Sequence, residues 1–140
     1  VKYLVDANVL SEATKPAPNA QVVNWLREHE RELAVNAIVL GELEYGILLL
    51  PAGRRRKNLE QWFALGVQRI RALDFDTATA AVWARLLARL KKKGHAMPIK
   101  DSLIAASALA HHLTVATRNI SDFRHAGVPI ENPFSSQPLA

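Results

Sequence analysis

A chain of 140 residues is the size of one domain and buries most of an ordinary core. Hydrophobic residues make up 49% and charged residues 22%, which excludes a disordered chain; nowhere do 18 consecutive apolar residues occur, and no signal-peptide pattern opens the sequence. The absence of cysteine excludes disulfides and thiolate metal sites and fits the cytoplasm, while 18 Lys+Arg against 13 Asp+Glu give a formal net charge of +5.

Tyr3, Leu4 and Val5 read as a short buried strand, after which the chain turns polar at Asp6 and Asn8. In an open α/β sheet that end of a strand faces the crevice where ligands bind. Asp6 belongs there, with Asn8 to steady it, although an isolated Asp after a strand reads more simply as a helix cap. Val9 to Thr14 predicts a short helix stopped by Pro16 and Pro18. Asn19 is a plausible cap for a helix carrying Val22, Val23 and Leu26, with Trp25 beside them.

Leu33 to Val35 predicts a strand, and Asn36 a cap for a helix from about Ala37 to Leu50. Gly53 and the run Arg54 to Lys57 lead into an amphipathic helix with apolar positions Leu59, Trp62, Phe63, Gly66 and Ile70. Ala72 and Leu73 suggest a third strand. Asp76 or Thr77 starts a helix with Val82, Trp83, Leu86, Leu87 and Leu90 inward, closed by Gly94. Asp101 opens an Ala-rich helix to about His112; Leu113 to Ala116 is a strand ended by Thr117 to Asn119, and Ser121 to Phe123 a turn or short helix. Val128 to Ile130 predicts an edge strand, since Pro129 cannot donate to a ladder. The expected domain is 1–133, with a loosely tied tail over 134–140. Strands alternating with helices predict an α/β fold, a mostly parallel sheet with helices on both faces.

Carboxylates and carboxamides recur at the exposed ends of these elements. Asp6 follows the first strand, Asn119 and Asp122 follow the fourth, Asp101 starts a helix and Glu42 lies within one. Asp101 alone reads as a cap and Asp122 as an Asx-turn residue. Glu42 shares a stripe with Ile38, Val39, Tyr45 and Gly46, where a carboxylate is costly unless paired, protonated or bound to a cation. Glu44 competes for the same argument, and periodicity does not separate the two. Clustered acids repel unless a cation is present. An all-oxygen set without a convincing His pair suits Mg²⁺, or Mn²⁺ in its place, and such a metal suits phosphodiester hydrolysis. His111 and His112 read as helix-end residues, His95 and His125 as loop residues. The basic runs Arg54 to Lys57 and Lys91 to Lys93, each read alone as a solvated helix end, together favour a polyanionic substrate.

Four stretches, Leu-Val-Asp6-Ala-Asn8-Val-Leu-Ser-Glu, Glu42-Leu-Glu-Tyr-Gly46, Ile-Lys-Asp101-Ser-Leu-Ile104-Ala-Ala and Ala-Thr117-Arg-Asn119-Ile-Ser-Asp122-Phe, resemble in order the signatures of PIN-domain ribonucleases. Within them the likeness is to VapC-type toxins of bacterial toxin–antitoxin pairs, including the FitB-like branch, and it runs to about Pro133. The resemblance implies a three-layer α/β/α sandwich and Mg²⁺-dependent RNA cleavage. It also implies a homodimer and inhibition by a small VapB-like antitoxin, with a hetero-oligomer on operator DNA and no membrane association. It favours Glu42 over Glu44. Asp6, Glu42, Asp101 and Asp122 are then the expected metal ligands, with Asn119 an additional catalytic candidate. Ala7 stands where relatives often carry Thr or Ser, and Asn119 where many carry Asp. Two competing readings are a PIN-like nucleic-acid-binding module without activity and a haloacid-dehalogenase-like phosphatase, whose second Asp would here be Asn8.

Overall fold

Hydrophobic runs of only three or four residues make strands that must be buried on both sides, and a parallel sheet provides such places. The computed structural model describes residues 1–135. Its sheet has five strands in the order β3-β2-β1-β4-β5, every neighbouring pair parallel: β1 (Tyr3–Val5), β2 (Leu33–Asn36), β3 (Arg71–Leu73), β4 (Thr114–Ala116) and β5 (Ile130–Glu131). β1 and β2 are buried throughout, as is most of β4. Pro129, ahead of β5, contributes only its carbonyl, which accepts from the Val115 N–H at 2.9 Å. The paired edge therefore starts two residues later than the expected strand.

Seven α-helices among the described residues cover the sheet in a three-layer α/β/α arrangement: α1 (Ala7–Glu12), α2 (Ala20–Glu28), α3 (Ala37–Leu48), α4 (Arg54–Leu65), α5 (Thr77–Lys92), α6 (Ile99–His111) and α7 (Ile120–Phe123). Crossovers from β1 to β2 to β3 move one way across the sheet, and those leading to β4 and β5 move the other way. With right-handed crossovers the two sets of helices fall on opposite faces. Packing within each set agrees, since α1 rests on α2 and α3, and α3 on α4, whereas α5 rests on α6, and α6 on α7; α3 and α6 also touch, where Glu42 meets Lys100.

Side-chain caps fix where several helices begin. Asn19 accepts from the N–H groups of Gln21 and Val22, and Asp76 from the Thr79 N–H and hydroxyl. The buried Asn36 accepts from the Val39 N–H at 2.8 Å and donates its amide to Ser107 at 3.2 Å, tying β2, α3 and α6 together. Helix α6 starts at Ile99, so Asp101 lies inside its first turn and does not cap it. Helix α4 stops at Leu65, and Gly66 ends it instead of extending the apolar face. Val39, Leu43 and Ile47 form the buried stripe of α3, while Tyr45 and Leu48 point to solvent. Phe134 packs on the core, with the Arg118 guanidinium 4.5 Å from its ring centre; 136–140 lie outside the described residues.

Candidate active site at the strand switch point

The direction of travel across the sheet reverses between β1 and β4, so the connections that leave these two strands part to opposite faces, the place where such sheets leave a crevice. Asp6 follows β1 and Thr117 follows β4. Asp6 is 2% exposed and caps α1: one carboxylate oxygen accepts from the Ala7 N–H at 2.8 Å, the other from the Thr117 hydroxyl at 2.8 Å and the Asn8 amide at 3.3 Å. Both readings of Asp6 thus describe one side chain, which caps a helix and stands in the crevice. The Asn8 carbonyl oxygen accepts from the Arg118 N–H at 3.2 Å, closing the network. Ala7 brings no hydroxyl, yet Asp6 receives one from Thr117.

Burial raises the Asp6 carboxyl above the ordinary Asp range; the Thr117 and Ala7 hydrogen bonds oppose this, and Glu42 adds to it. Asp101, 4% exposed in the first turn of α6, is pushed up to about 6, by burial first and then by the charges of Asp6, Asp122 and Glu42. Four acids remote in sequence therefore share one electrostatic neighbourhood. Lys100 partly offsets their charge: its ammonium pairs with Glu42, and this hydrogen bond is the chief reason its own pKa is raised. Glu42 is half-buried as a residue, but its Oε2 is itself buried and faces the Lys100 ammonium, so the charge on this stripe of α3 is paired. Glu44 is exposed.

The fourth motif divides its duties. Thr117 is fully buried and its oxygen also accepts from the Asn119 N–H at 3.0 Å. Asn119 is exposed, and among the described residues its amide group makes no hydrogen bond; it shapes the turn through its backbone. Asp122 is exposed within α7, where its charge is felt at Asp101. His95 and His125 stack with ring centres 3.7 Å apart, away from this network.

Lys100 and Thr117 are the site residues that sequence reasoning missed. Lys100 directly precedes Asp101, and Thr117 stood inside a quoted motif, but only the fold shows what each one touches. Thr117→Val is expected to leave an Asp6 oxygen without its shortest side-chain donor, because Val keeps the shape and loses the hydroxyl. The expected loss is about 1–3 kcal/mol of stability, with weaker binding of divalent metal. Urea unfolding and a Mn²⁺ titration measure the two effects.

Among the described residues, no three carboxylate or imidazole groups are already gathered as a metal shell. The donor chemistry nonetheless suits a hard cation. Every candidate ligand is oxygen, two buried acids are pushed toward neutrality by burial first and then by neighbouring carboxylates, Glu42 for Asp6 and Asp6 for Asp101, and an ammonium already answers part of that charge.

The PIN domain family model matches residues 3–128. This chain belongs to the PIN-domain family. Among PIN relatives, the VapC ribonuclease Y4jK of Sinorhizobium fredii is 37% identical, over 94% of this chain and 96% of that protein. Toxin FitB of Neisseria gonorrhoeae is 36% identical, over 94% of this chain and 97% of its own length. A solved structure of FitAB bound to an IR36 DNA fragment contains a chain that superposes with a TM-score of 0.90 at 33% identity, covering 97% of this chain and 98% of that one. PIN nucleases generally use a divalent metal ion. No helix of the described residues is long and apolar enough to cross a membrane.

Proposed function

We propose that this PIN domain is the toxin of a VapBC-type toxin–antitoxin pair, an endoribonuclease that hydrolyses RNA phosphodiester bonds with Mg²⁺. The observation that supports the reading is that Asp6, at the switch point of a parallel sheet, and Asp101 are both buried, both raised in pKa, and near enough for the charge of Asp6 to act on Asp101. In this reading Asp6, Glu42, Asp101 and Asp122 would hold the ion, with Lys100 now answering the charge of Glu42. A divalent ion, when bound there, would make water a better nucleophile and offset charge at the phosphate. Thr117 and Asn8 hold Asp6 in orientation, and Lys100 is placed to steady Glu42 or a phosphate oxygen.

The similarity to a FitAB complex on DNA supports a cognate antitoxin as partner and a joint complex on operator DNA. The reading extends to a homodimer acting in the cytoplasm; of the expected division into a domain 1–133 and a tail 134–140, Phe134 packs with the domain. Each of Trp25, Trp62 and Trp83 is half-buried, leaving apolar surface for a contact. The phosphatase alternative loses support because Asn8 donates its amide to Asp6 and has no proton to give as a general acid.

The test is cleavage of bulk transfer and ribosomal RNA by the purified protein. Discrete products are expected with Mg²⁺ or Mn²⁺, none after EDTA, and none with the antitoxin present. Identical cleavage with and without EDTA contradicts the metal assignment, and no cleavage under any metal contradicts the enzyme.

A further inference from the structure

The basic run at the start of α4 does not share one fate. Arg56 is tied down, its guanidinium donating to Glu60 at 3.0 Å and to the Leu50 carbonyl at 3.3 Å. Arg54 and Arg55 make no hydrogen bond or ion pair among the described residues. Both border a trough that reaches Glu42 of the acidic site. Its inner part, about 440 Å³, is walled by Asn8 and Ser11 of α1, Glu42 and Gly46 of α3, and Arg55 and Trp62 of α4. An adjoining cavity of about 530 Å³ shares Thr14, Arg55, Leu59 and Trp62 with it and continues outward to Arg54 and Asn58. Trp62 therefore borders both parts.

Resting on the ribonuclease reading, we propose that Trp62, Arg55 and Arg54 form a nucleotide subsite beside Glu42, which holds one unpaired base of the RNA on the indole and its flanking phosphates on the two guanidiniums. Charge runs along the trough in the order this needs. Glu42 brings the acidic site to the inner wall, Arg55 borders both parts and Arg54 the outer one, so a strand whose scissile phosphate lies by the acids would carry its neighbouring phosphates past two unpaired guanidiniums. An aromatic face between two phosphate-binding groups is the arrangement that holds single strands, since stacking accepts any base and arginine follows the backbone. The wall opposite is left free at Gly46: a Cβ there would meet nothing within 4 Å, so a larger side chain would project into open space that the nucleotide needs. Leu43, Ile47 and Leu59 also line the trough and would suit an apolar peptide, but they give Arg54 and Arg55 no anionic partner.

The experiment uses the full chain in EDTA with an end-labelled single-stranded RNA of about ten nucleotides, followed by fluorescence anisotropy at several salt concentrations. Trp62→Ala is expected to weaken binding about tenfold, and Trp62→Phe to restore most of it, because Phe keeps both packing and a stacking face. Arg55→Gln is expected to weaken binding and to make the salt dependence shallower by about 0.7 in log–log slope, the share of one phosphate on a single strand. With Mg²⁺ and bulk RNA, the same variants should raise KM far more than they lower kcat. Arg55 sits on an exposed helix start, so its variant carries the test even where Trp62→Ala unfolds. Wild-type affinity and salt slope in Arg55→Gln, or wild-type affinity in a folded Trp62→Ala, with cleavage intact, overturn the subsite and leave the ribonuclease standing. Normal RNA binding with escape from the antitoxin would place a peptide, not RNA, in the trough and overturns it as well. A wild-type protein that cleaves no RNA removes the reading on which the subsite rests.

Discussion

Asp101→Asn is expected to abolish metal-dependent RNA cleavage while the protein remains folded, and to make the metal-free protein more stable at neutral pH. The amide keeps the shape of the side chain and removes a charge from a group that burial, Asp6, Asp122 and Glu42 all push toward neutrality. The folded-state pKa of about 6 lies above the ordinary 3.8, so folding favours the protonated form. That contribution to stability is fully present below about pH 4 and is lost as pH rises to about 6. The gain in Asp101→Asn should therefore be absent in acid, grow across this window and level off above it. A shift of this size bounds it at on the order of 3 kcal/mol. Wild-type activity should rise through the same window, since Asp101 must ionise to hold a cation. Thermal melts in EDTA from about pH 4 to pH 8, beside cleavage assays with Mg²⁺, measure both. A variant that still cleaves RNA removes Asp101 from the site.

Asp6 should separate structure from chemistry in a second way. Asp6→Asn and Asp6→Ala are both expected to be inactive, but only the alanine should lose stability. Asn caps helices as well as Asp, so its carbonyl can still accept from the Ala7 N–H that Asp6 holds at 2.8 Å. Loss of the buried charge offsets the poorer match to Thr117 and Asn8. Ala leaves the helix start uncapped and orphans the Thr117 hydroxyl, a cost of about 2 kcal/mol. Equal denaturant midpoints for the two variants would show that Asp6 does no capping.

The fold was legible because local rules and global pattern agree. Polar caps such as Asn19, Asn36 and Asp76 stand where helices begin, and short apolar runs alternate with amphipathic segments. Boundaries slipped where one residue serves two elements. Pro98, not Asp101, precedes α6, and only the paired strand shows that Pro129 lies outside β5. The acids were readable as residues, not as an arrangement. The pairing of Lys100 with Glu42 joins two helices that periodicity treats separately, and no pattern within either one contains it. Thr117 was hidden for the same reason, since its hydroxyl acts on Asp6 across the seam between β1 and β4. The basic run on α4 was read as one block, and only packing divides it into Arg56, turned back on its own helix, and Arg54 and Arg55, which line the trough.

The central claim is that Asp6 and Asp101 converge to hold a divalent ion, and crystals soaked in Mn²⁺ test it most directly through anomalous scattering. The expected result is one strong peak in the crevice between β1 and β4, within bonding distance of both carboxylates, that disappears in Asp101→Asn crystals. Mn²⁺ bound elsewhere on the protein at saturating concentration, with nothing between Asp6 and Asp101, would contradict it.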